Sequence, residues 1–506
     1  MQYIVDSQQM KAIDQFTIEK IGIPSLVLME RAALAVSNNM LRKISKKDSI
    51  LAICGTGNNG ADGIAVARIL MLQGNHVDIY IIGDEKRGSD AFRQQLRIAK
   101  NVGINVINNA KISEYNVIID AIFGIGLNKK VTGSFETVIL EVNANNNVVY
   151  SVDIPSGINA SCGKVEGTAI QADYTISFGY YKMGQILYPG CEFMGELEIV
   201  DIGYPKEVLQ EANVNAYLFE DVDLNRLPKR KNRSNKGDYG RVLVIAGTKN
   251  MSGACYLSAM AAYRTGAGLV KVLTVEDNRS VIQTKLPEAI VITYEPTNLK
   301  SKIEIDRIVR EIEWATAIVI GPGIGISAAS DCLLDLVLKN AKIPVIIDAD
   351  GINMLAHHSE YVFEDDQGKR KIDLPGNVIL TPHLKEMSRL LDCDTAYVKD
   401  NLLSIAQSVT NNKEFVLALK DARTLVSNGK ELYVNVSGNN GMSTGGSGDV
   451  LTGILAALVA QGLTPNEAAC IGVYIHGRAG DHAREQVGTY SLMASDIINA
   501  IPFVMK

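Results

Sequence analysis

The sequence predicts an α/β protein built as two domains. Short β-branched apolar runs alternate with segments of helical period, the pattern of a mostly parallel sheet wrapped by helices. Glycine-rich loops occur in both halves, one of them directly after a strand-like run. A length of 506 residues at 47% hydrophobic composition provides for two large cores.

In the first half the strand-like runs are Ile50 to Cys54, Val77 to Ile82, Asn116 to Ile122, Val148 to Ile154 and Tyr174 to Phe178. Between the first two, Asp62 to Gln73 repeats apolar residues at helical spacing behind a glycine-rich loop, which makes a β-loop-α unit. The pattern weakens after Pro205, and the polar, basic stretch Leu227 to Gly240 precedes a new strand at Arg241 to Ala246. A boundary is therefore expected near Asn213 to Asp221, giving domains of residues 1–215 and 222–506. The second domain has strand-like runs at Leu269 to Thr274, Ala317 to Ile320, Pro344 to Asp348, Val378 to Thr381 and Phe415 to Leu419, and a long helix starting near Asp449. The halves share no register of motifs, so they read as different α/β domains rather than a repeat.

Composition excludes several partners. A formal net charge of -6 leaves no broad basic field to neutralise a nucleic-acid backbone. The seven cysteines are scattered, odd in number and never in a CxxC pair, so neither a disulfide framework nor a cysteine metal cluster is expected. The first residues lack the apolar stretch of a signal peptide, and no run of about 18 apolar residues occurs, so no membrane span and cytoplasmic residence are expected.

Gly55 to Gly63 (GTGNNGADG) lies between a strand and a helix, where backbone N–H groups and the helix N-terminus make an anion site. It satisfies GxGxxG, a weak signal by itself. A dehydrogenase would place an acid at the end of the second strand, and Asp84 is only roughly there; a tight turn with no ligand is the plainer alternative. The loop has company, however: Asp120 to Leu127 (DAIFGIGL) and Asp153 to Gly157 (DIPSG) follow later strands, and strand ends on one side of an open sheet form a binding crevice. Asn59, Asp120 and Ser156 then pool oxygens suited to a hard cation, although each alone is more often a turn former or cap.

In the second half, Asn439 to Gly453 (NNGMSTGGSGDVLTG) combines glycines that admit phosphate to the backbone with a helix starting behind them. It lacks the Lys-Ser/Thr ending of a P-loop. Asp449 reads either as a first-turn helix acid or as a base, since a phosphoryl-acceptor hydroxyl must be oriented and relieved of its proton. His383 follows a strand end and is expected to bind substrate, against the plainer reading of a satisfied loop histidine. Asp348 and Asp350 share a face if their strand continues, which would suit Mg²⁺; turn-forming acids explain them nearly as well. The basic run Lys229, Arg230, Lys231, Arg233 and Lys236 reads as a solvated linker, with contact to dinucleotide phosphates as the alternative.

The first three segments together resemble the NAD(P)HX epimerase family over roughly residues 1–215. The resemblance implies a Rossmann-like three-layer α/β/α domain. It implies that Asn58, Asn59, Gly60, Ala61 and Asp62, with Gly124, Ile125, Gly126, Leu127, Asn128, Lys129 and Lys130, hold the damaged dinucleotide. It also implies potassium at Asn59, Asp120 and Ser156, a substrate-binding, catalytic acid at Asp153, and Lys182 as a second polar group. The family's usual glycine is Ala61 here, and a positive φ at that position would cost about 1 kcal/mol or more.

The segment ending Gly445-Gly446-Ser447-Gly448-Asp449 resembles the ribokinase-like superfamily. Further agreement at Lys236–Gly240, Ser252–Ala254, Gly266–Val270, Gly321–Gly325, Asp348–Gly351 and Leu380–His383 narrows this to the ADP- or ATP-dependent NAD(P)HX dehydratases, over nearly all of 222–506. That resemblance implies that Ala254, Gly323, His383 and Asp449 meet NAD(P)HX. It implies that Lys420, Asp421, Ala422, Arg423, Thr424 and Gly448 meet ADP or ATP, with Asp421 standing where glycine is common. The expected activity is repair of hydrated NADH and NADPH: epimerisation of R- and S-NAD(P)HX by the first domain, and nucleotide-dependent dehydration of the S form by the second, with Asp449 as base. K⁺, Mg²⁺ and ADP or ATP are the expected small partners, and a homo-oligomer the expected assembly. The rivals are a vitamin or sugar kinase, and a first domain that senses nucleotide without catalysis.

Overall fold

In the strand Ser49–Cys54 the side chains from Ile50 onward are buried, yet neighbours enter different cores. Ile50, Ala52 and Cys54 join a cluster with the helices Ser25–Leu41, Asn58–Leu72 and Asp90–Asn101, while Leu51 and Ile53 join another with the helix Ser134–Asn143. A strand covered on both faces reads as a continuous apolar run, and the result is three layers, α/β/α.

The computed structural model describes residues 1–366 and 368–506. The chain divides into two compact units: Gln2–Ala216, and Tyr217–Lys506 together with Met1. Strands of the first unit are β1 (Gln2–Val5), β2 (Ser49–Cys54), β3 (His76–Ile81), β4 (Asn105–Ile107), β5 (Val117–Ala121), β6 (Val148–Val152), β7 (Tyr174–Phe178), β8 (Tyr181–Lys182) and β9 (Glu196–Val200). Seven form a parallel sheet in the order β4-β3-β2-β5-β6-β7-β9. β1 pairs with β8 instead. Because β2 lies between β3 and β5, the chain leaves it toward one edge and later returns on its other side. That switch point opens a crevice at the carboxyl ends of β2 and β5.

The helix after β2 starts at Asn58, with Gly57 as its N-cap, four residues earlier than its apolar period suggests. Ala61 is thus helical, fully buried and not at positive φ, so the strain expected of it is absent. Gly60 is the constrained position: a Cβ there would lie 1.7 Å from the Gly55 carbonyl oxygen.

β10 (Ala216–Leu218) spans the division between the units. The second unit continues with β11 (Arg241–Ile245), β12 (Leu269–Val275), β13 (Ile290–Tyr294), β14 (Ala317–Ile320), β15 (Val345–Ile347), β16 (Val362–Glu364), β17 (Arg370–Ile372), β18 (Val378–Leu380), β19 (Val416–Leu419), β20 (Leu425–Ser427) and β21 (Leu432–Val434). The run β13-β12-β11-β14-β15-β18-β19 is parallel, and β20 and β21 extend it antiparallel. The helix Ser447–Ala460 is buried at every position from Val450 to Val459 and packs on the helix Ser252–Arg264. Their approach is close enough that a Cβ on Gly453 would sit 2.1 Å from the Ser258 carbonyl oxygen.

One expected geometry fails. β15 ends at Ile347, and Ala349 adopts φ 52°, so Asp348 and Asp350 do not continue a strand. Asp348 pairs with Lys420, whereas Asp350 accepts the Gly325 N–H at 2.9 Å, a loop-closing role.

Candidate active sites

In the first unit a cavity of about 770 Å³ occupies the switch-point crevice. Gly55 to Asn59, Asp62 and Ile122 to Thr132 line it, together with Asp14, Asp153, Lys182 and Tyr204. Every expected dinucleotide-holding residue therefore reaches the cavity except Gly60 and Ala61, which are buried where the helix packs on the sheet.

Asp153 adopts φ 68°, a left-handed conformation that costs an L-residue about 1–2 kcal/mol. Its neighbours hold it there. Gln185 Nε2 donates to its carbonyl oxygen at 2.7 Å, and Ser177 Oγ donates to Oδ1 at 3.0 Å. Lys182, expected as a second polar group, is 1% exposed, with Nζ 2.6 Å from Asp153 Oδ1. Its two other bonds, each 2.8 Å, go to Ser177 Oγ and the Phe178 carbonyl, so all three ammonium protons have acceptors.

Of the expected cation trio, Asp120 and Ser156 bond directly to each other, and Asn59 packs on Gly124. Fully buried Asp120 accepts from Ser156 N and Ser151 Oγ at 2.8 Å on Oδ2, and from Ser156 Oγ at 2.5 Å on Oδ1. Phe123 N donates to Ser156 Oγ at 2.8 Å, and its carbonyl lies 3.3 Å from the same atom. Asn59 packs on Gly124, where an added Cβ would meet its Cβ at 3.1 Å, and its Nδ2 is buried without a partner.

Sequence reasoning missed Asp14 and Tyr204. The Tyr204 hydroxyl donates to Asp14 Oδ1, and its ring occupies the space left by Gly179, where a Cβ would be 2.5 Å from the ring. In the sequence, Asp14 stands at a polar position of an amphipathic helix, Ser7–Phe16, and gives no signal there. Burial raises the Asp14 carboxyl above its ordinary range, with Tyr204 and Lys182 opposing. Burial likewise raises Asp62 well above it, with Asp153 and Asp14 adding.

In the second unit, the segments leaving β14, β15, β18 and β19 carry Gly321–Gly325, Asp348, Thr381–His383 and Lys420. Lys420 Nζ lies 2.6 Å from Asp348 Oδ1, which also accepts from Thr381 Oγ1 at 2.9 Å. The phosphate-type loop meets this pair: a Cβ on Gly448 would be 3.4 Å from Lys420 Nζ and 3.5 Å from Asp348 Oδ2. Asp449 follows in the first turn of its helix, and burial, with Asp348 adding and Lys420 opposing, pushes its carboxyl up to about 7. Gly323, at φ 56°, abuts Ala254, where a Cβ would lie 2.9 Å from the alanine methyl. Asp421 to Thr424 turn from β19 into β20, and Asp421 is not at positive φ, so glycine's freedom is not required there.

His383 has a structural duty of its own. It caps the helix Leu384–Leu391, with Nδ1 accepting from the N–H groups of Lys385 at 3.0 Å and Glu386 at 3.2 Å. Nε2 is 3.2 Å from Glu386 Oε1. Burial and nearby Lys420 lower its pKa, which favours the neutral ring that capping requires. His476 was not anticipated. It is buried beside the loop, with Nε2 3.3 Å from Ser447 Oγ, and burial pushes it down to about 4. Of the basic run, Arg230 packs its guanidinium 4.1 Å over the Tyr239 ring and donates to the Gly266 carbonyl.

A family profile described as NAD(P)H-hydrate dehydratase matches residues 242–503, and one described as YjeF-related protein N-terminus matches residues 25–184. The chain is 33% identical to the bifunctional NAD(P)H-hydrate repair enzyme Nnr of Moorella thermoacetica, over 100% of this chain and 97% of that one. It is 34% identical to the protein of the same name from Vibrio cholerae, over 97% and 96%. A solved ribokinase-like superfamily protein from Enterococcus faecalis matches with a TM-score of 0.50 and 28% identity, over 57% of this chain and 95% of its own.

Proposed function

The chain belongs to the family of bifunctional NAD(P)H-hydrate repair enzymes, and on that premise we propose how its two sites divide the work. The first unit interconverts R- and S-NAD(P)HX. The second dehydrates the S form to NAD(P)H at the expense of ADP or ATP.

The observation that carries this reading is Asp449: a carboxyl with a pKa of about 7, in the first turn of a helix behind a glycine-rich loop, next to the Lys420–Asp348 pair. A base for a weakly acidic hydroxyl works best when its pKa is near the operating pH. Asp449 takes the proton of the C6 hydroxyl as its oxygen attacks the terminal phosphorus of the nucleotide, whose bond to the bridging oxygen breaks to release AMP from ADP or ADP from ATP, with Lys420 and the loop N–H groups near the transferring charge. The C6–O bond then breaks with its electron pair leaving on phosphate, the ring nitrogen supplies electrons to C6, and loss of a C5 proton restores the dihydronicotinamide.

At the first site Asp153 and Lys182 form an acid–base pair in the wall of the cavity. A potassium ion fits the oxygen-rich donor set there: Asp120, Ser156 and the Phe123 carbonyl, with the Asn59 side-chain oxygen against neighbouring Gly124. It would supply positive charge that gathers the loops carrying Asn59 and Gly124. Asp348 and Asp350 do not fit Mg²⁺ as a pair, because one is committed to Lys420 and the other to a loop N–H. Magnesium therefore belongs with the nucleotide phosphates, with no protein ligand assigned.

Among the described residues no helix is long and apolar enough to cross a membrane. Cytoplasmic residence, beside the reduced-nicotinamide pool, and homo-oligomeric assembly complete the proposal. Incubating the full chain with mixed epimers of NADHX, with and without ADP or ATP, tests it. The expected result is nucleotide-dependent return of NADH absorbance with stoichiometric inorganic phosphate and consumption of both epimers. A stable phosphorylated product would favour the kinase alternative instead.

A further inference from the structure

Two features of the first site are left unexplained by an Asp153–Lys182 pair. The cavity is lined by three carboxyl groups, Asp14, Asp62 and Asp153, but Lys182 bonds to only one of them. And a tyrosine hydroxyl, Tyr204, is spent on Asp14, with its ring seated against a glycine that leaves room for nothing larger. Burying a carboxyl in a cavity wall is costly, and a cavity that holds carboxyls of opposite protonation state is how acid and base roles are separated.

We propose that Asp14, held by the Tyr204 hydroxyl, is the second acid–base group of epimerisation, serving the face of the nicotinamide ring that Asp153 does not. The proposal rests on the epimerase reading of this unit.

Inversion by hydroxyl exchange uses two such groups. In the route proposed here C6 inverts by exchange of its hydroxyl: the C–O bond breaks on one face and a new one forms on the other. Protonated Asp14 gives its proton to the C6 hydroxyl, the C–O bond breaks with its electron pair leaving as water, and the ring nitrogen's lone pair forms an N1=C6 double bond. A water molecule on the opposite face then adds to C6, its electron pair closing the new C–O bond while the N1=C6 pair returns to nitrogen. The proton it loses goes to the Asp153 carboxylate. One water leaves and one enters, so the net change is inversion alone. The reverse reaction uses the same groups with roles exchanged, and solvent resets their protons.

The helix Ser7–Phe16 presents Asp14 and Lys11 to the cavity. The charged or titratable groups acting on Asp14 from the elements packed around it are Tyr204, Lys182, Asp153 and Asp62. Burial favours the protonated form of Asp14, whereas the Tyr204 bond stabilises its ionised form. Tyr204 is therefore a positioning residue with a directional signature: removing its hydroxyl keeps Asp14 protonated to higher pH.

The test uses the full-length protein and pure R-NADHX, with epimerisation followed separately from dehydration of pure S-NADHX. Asp14→Asn is expected to lower kcat for epimerisation by about 10²-fold with KM nearly unchanged, while the unfolding transition of the first unit in calorimetry stays at its wild-type temperature, which shows that it folds. Tyr204→Phe is expected to move the alkaline fall of epimerase activity to higher pH, and turnover in H₂¹⁸O to label the C6 oxygen of the product. Asp14→Asn at wild-type kcat, a Tyr204→Phe profile superimposable on wild type, or inversion without ¹⁸O incorporation would each overturn the proposal. An absence of epimerase activity in the wild-type chain would instead sink the reading of the unit on which it rests.

Discussion

Lys182 Nζ and Asp153 Oδ1 form a 2.6 Å ion pair, with the lysine side chain 1% exposed and the aspartate 12%. Such a pair adds little net stability when intact, but removing one partner strands a buried charge. Lys182→Met is expected to destabilise the first unit by about 3–5 kcal/mol, visible as an early unfolding transition in calorimetry, and to abolish epimerisation. Lys182→Met Asp153→Leu should recover much of the stability and none of the activity. Recovery of epimerisation in the double variant would show that the pair is structural.

Dehydration should depend on pH through Asp449. As a base with a pKa of about 7, it is ionised above that value, so kcat/KM for S-NADHX should fall about tenfold per unit as pH drops below it. Asp449→Asn should lower turnover by about 10²-fold or more while nucleotide affinity, measured by calorimetry, is retained. Stability moves in the opposite sense. Between the ordinary aspartate range and about 7 the folded state keeps a proton that the unfolded chain has released, so this group's contribution is largest at low pH and declines as pH rises through that window. A wild-type turnover rate in Asp449→Asn would end the base assignment.

Capping and the proposed substrate binding at His383 are separable. His383→Ala loses both and should cost about 1 kcal/mol of stability along with a higher KM for NADHX. Asparagine is a good N-cap, so His383→Asn should restore the melting temperature but not the KM. If both variants bind NADHX normally, His383 is only a helix cap.

Asp120→Asn places an NH₂ group where serine donors already point, and should cost about 1–3 kcal/mol. Epimerisation of R-NADHX should slow and require more KCl for half-maximal rate, with S-form dehydration unchanged. An identical KCl dependence in the variant would place any ion elsewhere.

The alternation of strands and helices was legible because buried parallel strands read as apolar runs, unbroken in β14, from Ile50 onward in β2, and interrupted only by Asp120 in β5. β13 was missed because its residues are half-exposed at a sheet edge, and β20 and β21 because three-residue strands carry too little pattern. Site residues adjacent to glycine motifs, such as Asn59, Asp153 and Asp449, could be picked out. Asp14, Tyr204 and His476 could not, since each lies in an unremarkable helix or loop and acquires its surroundings only through long-range packing. Ala61 and the Asp348–Asp350 pair erred for a common reason: both depended on local backbone dihedrals that residue identity alone leaves open.

The contact at Gly453 has a consequence for how mutational data on this protein would look. The helix bearing Asp449 is set against Ser258 by backbone atoms, with no side chain between them to adjust, and Ser258 Oγ donates to the Asp449 carbonyl at 3.0 Å. In a deep mutational scan selected on repair activity, codon 453 would therefore be depleted of nearly every substitution, much as codon 449 would be. Depletion by itself would rank a residue with no functional group beside the proposed base, and only the differing response to a conservative exchange, tolerated at neither position but leaving a folded protein only at 449, would tell them apart.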